Sequence, residues 1–158
     1  MRKRLSKKRI LLPDPKFNDK LVTRFVNNLM LDGKKSVAFK VFYDALDIVD
    51  QKKQDEEKTA LELWKEGLSN VMPHVEVRSR RVGGATFQIP MPIRADRKIS
   101  MAIKWMILYA RRRNEKSMAQ RLAGEILAAV KEEGAAVKKR VDVHKMADAN
   151  KAFSHFRF

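Results

Sequence analysis

The sequence contains no cysteine, which removes disulfides, thiolate metal cages and thiol nucleophiles from consideration. Long apolar runs are missing too. No stretch approaches the roughly 18 apolar residues that a membrane span needs, and the Arg-rich start lacks the apolar segment of a secretion signal. Membrane insertion and export are not expected. Glycine and proline are sparse, at 6 and 5 residues of 158, and no repeat or low-complexity segment appears. Acid is short as well: 19 Asp and Glu face 35 Lys and Arg, for a net charge of +16. A basic chain of this kind points to a polyanion, chiefly nucleic acid.

What is present is enough for one domain, since 44% of residues are hydrophobic and the length suits a single core. The positive excess is concentrated. Residues 1–12 hold Arg2, Lys3, Arg4, Lys7, Lys8 and Arg9 with no acid, whereas 44–66 hold eight acids against four bases. Residues 78–121 hold twelve bases against Asp96 and Glu115. The acidic block reads as a solvated helix face. The basic one does not, because like charges at that density repel unless a polyanion compensates them.

The pattern of apolar residues predicts a mainly α fold: a single domain of about six helices, a projecting two-stranded β-hairpin and a basic extended N-terminal arm. Residues 1–18, with Pro13 and Pro15 and few large apolar side chains, form the arm, expected to order on a partner; 19–158 form the helical domain. The first helix is expected over Asp19 to Asp32 with Gly33 at its C′ position. A second, near Ser36 to Gln51, carries the stripe Val37, Val41, Phe42, Ala45, Leu46 and Val49. The third is expected from about Glu56, in the acidic run Asp55-Glu56-Glu57, to Val71.

At His74 the period changes from helical to alternating, and Gly83-Gly84 separate two runs, so a hairpin is expected at about 74–92. Matching of apolar faces favours a three-residue loop or a bulge, with Val77 opposite Met91, Val75 opposite Ile93 and Ser79 opposite Ile89. The alternative, a two-residue loop, sets Val77 opposite Pro90 and Phe87 opposite Arg80. Either way Arg78, Arg80 and Arg81 crowd the tip. Three more helices follow: about Arg97 to Arg113, then Ser117 to Gly134 opened by the capping box Ser117-Met118-Ala119-Gln120, then roughly Val137 to Ala152.

Little in the sequence suggests catalysis. His74, His144 and His155 do not form a metal-binding pattern, and surface or RNA-facing imidazoles are the expectation. Gly33-Lys34-Lys35 lacks the upstream glycine and preceding strand of a phosphate loop. No nucleophile elbow frames a serine. No enzyme, cofactor, metal or small-molecule substrate is expected.

Four features point to RNA: the arm; the ribbon tip, where arginine forks and Gly83-Gly84 allow close backbone approach; Arg111-Arg112-Arg113, beyond what a helix dipole needs; and Lys138-Lys139-Arg140 with the end Phe153-Ser154-His155-Phe156-Arg157-Phe158, whose rings either stack on bases or pack on the protein itself. The rivals are an architectural DNA-binding protein and an interaction scaffold whose charge serves solubility.

The residues also carry a resemblance. Asp19, Leu21, Phe25-Val26, Gly33-Lys34-Lys35, Val41-Phe42 and Ala45 stand at the intervals of a known signature. Leu12 to Phe17, Val75 to Gly84, Lys116 to Ala119, Ala136 to Arg140 and Ala149 to Phe153 match further. On these the chain resembles the bacterial small-subunit ribosomal protein seven family along nearly its whole length, departing from it at 51–58. The resemblance implies a cytoplasmic ribosomal protein that binds the 3′ domain of small-subunit rRNA and nucleates assembly of the head. Its ribbon would lie near exit-site tRNA and the mRNA exit path, with neighbouring head proteins and a platform protein as partners. Some members repress translation of their own message. The implied RNA-binding residues are the arm cations Arg2, Lys3, Arg4, Lys7, Lys8 and Arg9, with Lys34, Lys35, Arg78, Arg80, Arg81, Arg94, Arg97, Lys98, Arg111, Arg112, Arg113 and Lys116. Gly83, Gly84, Lys138, Lys139 and Arg140 join them from the residue patterns above.

Overall fold

A computed structural model describes residues 9–53 and 57–156 of the chain. The order is α1 (Lys20–Leu29), α2 (Lys35–Lys52), α3 (Ala60–Val71), β1 (Val75–Val82), β2 (Ala85–Pro92), α4 (Ala95–Arg111), α5 (Met118–Val130), α6 (Ala135–Ala149) and a 3-10 helix at Lys151–Phe156. The expected mainly α architecture with a two-stranded antiparallel hairpin is the one observed.

α5 lies at the centre, packed against α2, α3, α4 and α6. Beside it, Phe25 of α1, Phe42 of α2 and Trp64 of α3 are fully buried and meet with centroids 5.2–5.4 Å apart. Burying such side chains is worth about 1.5–3 kcal/mol each, so this aromatic cluster is the main lock between the first three helices.

Local chemistry sets the helix limits, and several differ from expectation. Asp19 caps α1 by accepting from Leu21 N–H at 2.7 Å, and it also pairs with Lys65 of α3 at 2.6 Å. α1 ends at Leu29, earlier than expected, because Met30 leaves in an extended conformation. The reversal therefore falls on Asp32 and Gly33, both with positive φ, and Gly33 is not the C′ residue. α3 begins at Ala60 rather than near Glu56: Thr59 and Glu62 close a reciprocal capping box, each accepting from the other's backbone N–H. The expectation at Asp55 and Glu56 lies outside the described residues. α5 opens with the expected Ser117–Gln120 box but ends at Val130, and Glu132 at φ 58 turns the chain toward Gly134, which precedes α6.

The hairpin register corrects the sequence reading. Val77 pairs with Pro90 and Arg80 with Phe87, around a two-residue Gly83-Gly84 turn. Both glycines have positive φ, 56 and 92°, as a type I′ turn demands of both central residues. Turn chemistry thus overrides matching of apolar faces. The mixed face is covered from elsewhere: Phe87 meets Phe153 of the 3-10 helix at 5.3 Å, while Ile89 and Glu76 are buried.

The described part of the N-terminal segment is partly docked. Asp14, buried, accepts from Lys16 and Phe17 N–H and from the Tyr43 hydroxyl at 2.7 Å. Burial, then this carboxylate neighbour, pushes the Tyr43 hydroxyl up to about 12. The arm therefore has a fixed root on α2, while Arg2, Lys3, Arg4, Lys7 and Lys8 lie outside the described residues.

Candidate nucleic-acid interface

α4 is the element that brings the predicted cations together. Its seventeen residues span roughly 25 Å at the helical rise, with Arg94, Arg97 and Lys98 at one end and Arg111, Arg112 and Arg113 at the other. Arg97, Lys104 and Arg111 are exposed and stand seven residues apart, roughly two turns, so they form one cationic stripe. Arg24 of α1 holds the start of α4 from the side, donating to the Asp96 carbonyl at 2.8 Å and the Ser100 hydroxyl at 2.6 Å.

The ribbon is fixed to this helix by one carboxylate. Glu76 Oε1 accepts from Arg78 at 2.6 Å and Oε2 from Arg97 at 2.8 Å. Burial alone would raise the Glu76 carboxyl; the hydrogen bonds from Arg97 and Arg78 outweigh it and hold the group below the ordinary carboxylate value. A groove of ≈ 790 Å³ opens at this root, with Arg78, Arg94 and Arg97 among its walls. From Glu76 the strand carries Arg80, Arg81, Gly83 and Gly84, all exposed, out to a tip roughly 23 Å away at the strand rise.

The root also holds an unexpected imidazole pair. The His74 backbone N–H donates to His144 Nε2 at 3.1 Å, the two rings stack with centroids 5.9 Å apart, and Lys98 Nζ lies 3.4 Å from His74 Nδ1. Burial, then the charges of His74 and Arg140, lower the His144 pKa against the opposing pull of Asp148. His144 therefore joins α6 to the ribbon, rather than standing at the surface as expected. Lys138, Lys139 and Arg140 sit on the same helix, Lys138 exposed and the other two half-buried.

At the opposite end of α4, Arg111 donates to the Leu29 carbonyl at 3.2 Å, which brings it beside Lys34 at the start of α2. Lys35 lies over the Phe39 ring at 5.6 Å and Arg112 over Tyr109 at 5.5 Å. Lys116 is exposed in the loop before α5. Arg113 turns inward instead. It donates to Glu115 at 2.7 Å and to the fully buried Glu125 at 3.2 Å, and the Glu115 bond raises its pKa further. Of the three consecutive arginines, two face out and the third braces the core.

A stripe of cations that meets an acid, Glu76, on Arg97 at the ribbon root, flanked by a ribbon with an arginine-rich tip, is a surface of the kind that can engage phosphate. The family model for ribosomal protein S7p/S5e matches residues 1–151. The chain belongs to the ribosomal protein S7p/S5e family. Its relatives include the small ribosomal subunit protein uS7 of Flavobacterium johnsoniae, 82% identical, that of Cytophaga hutchinsonii, 63%, and that of Bacteroides fragilis, 59%, each aligned over 158 residues and the whole of both chains.

Within this S7p/S5e chain, sequence reasoning overlooked Lys104, whose seven-residue spacing from Arg97 and Arg111 was the available signal. It overlooked Arg24 and the His74–His144 pair, for which no local pattern exists because the partners are brought together from 70 or more residues apart. For Phe153 the structure decides between the two readings: the ring packs on Phe87. Arg157 and Phe158 lie outside the described residues.

Proposed function

We propose that this chain binds the 3′ domain of small-subunit rRNA and nucleates assembly of the head, with its ribbon directed toward exit-site tRNA and the mRNA exit path. As an S7p/S5e protein it is a structural component of the small subunit, in the ribosome in the cytoplasm. The observation that carries the rRNA-binding proposal is the α4 stripe of Arg97, Lys104 and Arg111, continued at one end by the ribbon and at the other by Lys34, Lys35, Arg112 and Lys116. Such a surface tracks phosphates over more than 20 Å, by the helical rise, and recognises RNA by shape rather than through its deep, narrow groove.

The roles divide among the predicted residues. Lys34, Lys35, Arg80, Arg81, Arg94, Arg111, Arg112, Lys116, Lys138 and Lys139 face phosphate, together with the arm cations Arg2 to Arg9. Gly83 and Gly84 let the ribbon backbone approach. Arg78, Arg97 and Lys98 combine an RNA-facing role with fixing the ribbon root, and Arg140 joins Lys138 and Lys139 in facing phosphate. Arg113 is assigned to the fold. Neighbouring head proteins and a platform protein complete the surroundings, and a message leader that copies the rRNA shape would be bound by the same surface, giving repression of its own translation.

Competition at matched salt between folded 3′-domain rRNA and duplex DNA tests the reading. With about eight phosphate contacts the log–log salt slope for rRNA should be about −6 to −7, and rRNA should win. Preference for the duplex would favour an architectural DNA-binding protein; weak binding to no particular RNA would favour a scaffold.

A further inference from the structure

Val37 was expected on the buried stripe of α2, yet it is 55% exposed, and Leu31 in the preceding turn is 61% exposed. Both line a groove of ≈ 330 Å³ where the ends of α1 and α4 meet the starts of α2 and α5; Leu29 and Met118 are also apolar parts of its wall, and Lys34 and Arg111 belong to it too. We infer that this groove receives one unstacked nucleobase of the bound rRNA. The inference rests on the rRNA-binding reading and deepens it, because the cations position RNA while a base pocket selects it.

Charge complementarity selects the occupant. An apolar slot in a neutral surface would suit a protein side chain, but here Lys34 and Arg111 stand in the wall and Lys35 and Arg112 follow them in sequence. Any base entering the slot brings its own phosphate to these cations. The volume sits at the low end of the roughly 300–1,000 Å³ typical of small-molecule sites, which suits one base. RNA is read through such splayed, unpaired bases, stacked on side-chain planes and hydrogen-bonded at their edges; in this groove Leu31 and Val37 supply the apolar contact and Arg111 stands in the wall. Asp32, also in the wall, supplies an acceptor for an exocyclic amino group.

Contacts within the chain hold the wall of the groove in place. Asp32 and Gly33, at φ 53 and 72°, fix the turn that presents Leu31, Lys34 N–H closes it onto the Leu31 carbonyl at 2.9 Å, and Arg111 is held on the Leu29 carbonyl. A pocket that needs no ordering loses less entropy on binding.

The absence of cysteine makes a clean test. Val37→Cys places the sole thiol of the chain in the groove, and Asp47→Cys places it on the acidic helical block. Maleimide alkylation is followed on the full chain, alone and bound to a 3′-domain rRNA transcript. The RNA should slow alkylation at position 37 and leave position 47 unchanged. In parallel, Leu31→Ser/Val37→Ser should lower affinity for the transcript roughly 10- to 100-fold, the scale of losing the apolar burial of one aliphatic side chain, with the salt slope unchanged. One unpaired base protected from dimethyl sulfate by the unaltered chain should regain reactivity with this variant. Unchanged affinity and base reactivity would overturn the inference while leaving rRNA binding in place. So would protection at position 37 that appears only in assembled subunits, which would assign the groove to a neighbouring protein. Failure of the unaltered chain to bind the transcript would overturn the rRNA reading, and this inference with it.

Discussion

The Glu125 carboxylate, in the middle of α5, accepts from the backbone N–H of Ala136 in the first turn of α6 at 2.8 Å. Gly134 precedes α6 and has no side chain to cap it, so a buried residue from another helix does so. The second oxygen of Glu125 accepts from Arg113, and three segments are thereby tied to one carboxylate. Glu125→Ala should cost about 2–4 kcal/mol in denaturant unfolding, somewhat below the 3–5 of a fully buried pair because Arg113 keeps Glu115 and is 33% exposed. Glu125→Gln, which keeps an acceptor for Ala136, should lose less. A loss under about 1 kcal/mol for the alanine variant would contradict this role.

Glu76 makes the ribbon root sensitive to acid. Its folded-state pKa lies below the ordinary carboxylate value, so its contribution to stability is full above that value and is lost as pH falls through the folded-state pKa. Hydrogen exchange at β1 and the start of α4 should accelerate in acid, ahead of global unfolding, and Glu76→Gln should remove that dependence. Exchange that is independent of pH in the unaltered protein, after correction for intrinsic rates, would refute the clamp.

His144 acts in the same direction at a higher pH. It accepts a hydrogen bond from His74 N–H, which only the neutral ring can do at Nε2, and its pKa is lowered from 6.5. The contact is intact above the ordinary histidine value and is lost as pH falls through the lowered one. An NMR titration should give His144 a midpoint below 6.5, accompanied by shifts at the His74 amide. A midpoint above 6.5 would contradict the assignment.

Replacing Arg78, Arg80 and Arg81 together by alanine should leave the fold intact, since Glu76 keeps Arg97 as a partner. In assembled subunits it should change the footprints of exit-site tRNA or mRNA. Unfolding of the variant, or unchanged footprints, would count against the ribbon's assigned role.

Several features of this chain were legible because they are local. Ser117 and Gln120 announce a helix start within four residues, and the alternation after His74 announces a strand. The hairpin register was misread because pairing of apolar faces was weighed above the two consecutive glycines, although a Gly-Gly turn constrains the backbone directly. The burial of Val37 was misjudged for a different reason. Helical period says which residues share a face, but the neighbours that cover α2 bury Ala38 in its first turn and leave Val37 beside it uncovered, which opens the groove. Glu125, Arg24 and the His74–His144 pair work across long sequence separations and leave no local trace. The cations were the most legible part of the candidate interface, yet their number did not distinguish Arg113, held between two carboxylates, from its outward-facing neighbours.

On the proposed function, the α4 stripe and the surfaces at its two ends recognise the folded 3′ domain of small-subunit rRNA. Hydroxyl-radical footprinting of the complete small-subunit rRNA by the full chain tests it most directly. Protections should fall within the 3′ domain as a compact set of loops and helix junctions. Protections scattered over other domains, or none at salt where the chain still binds, would contradict it.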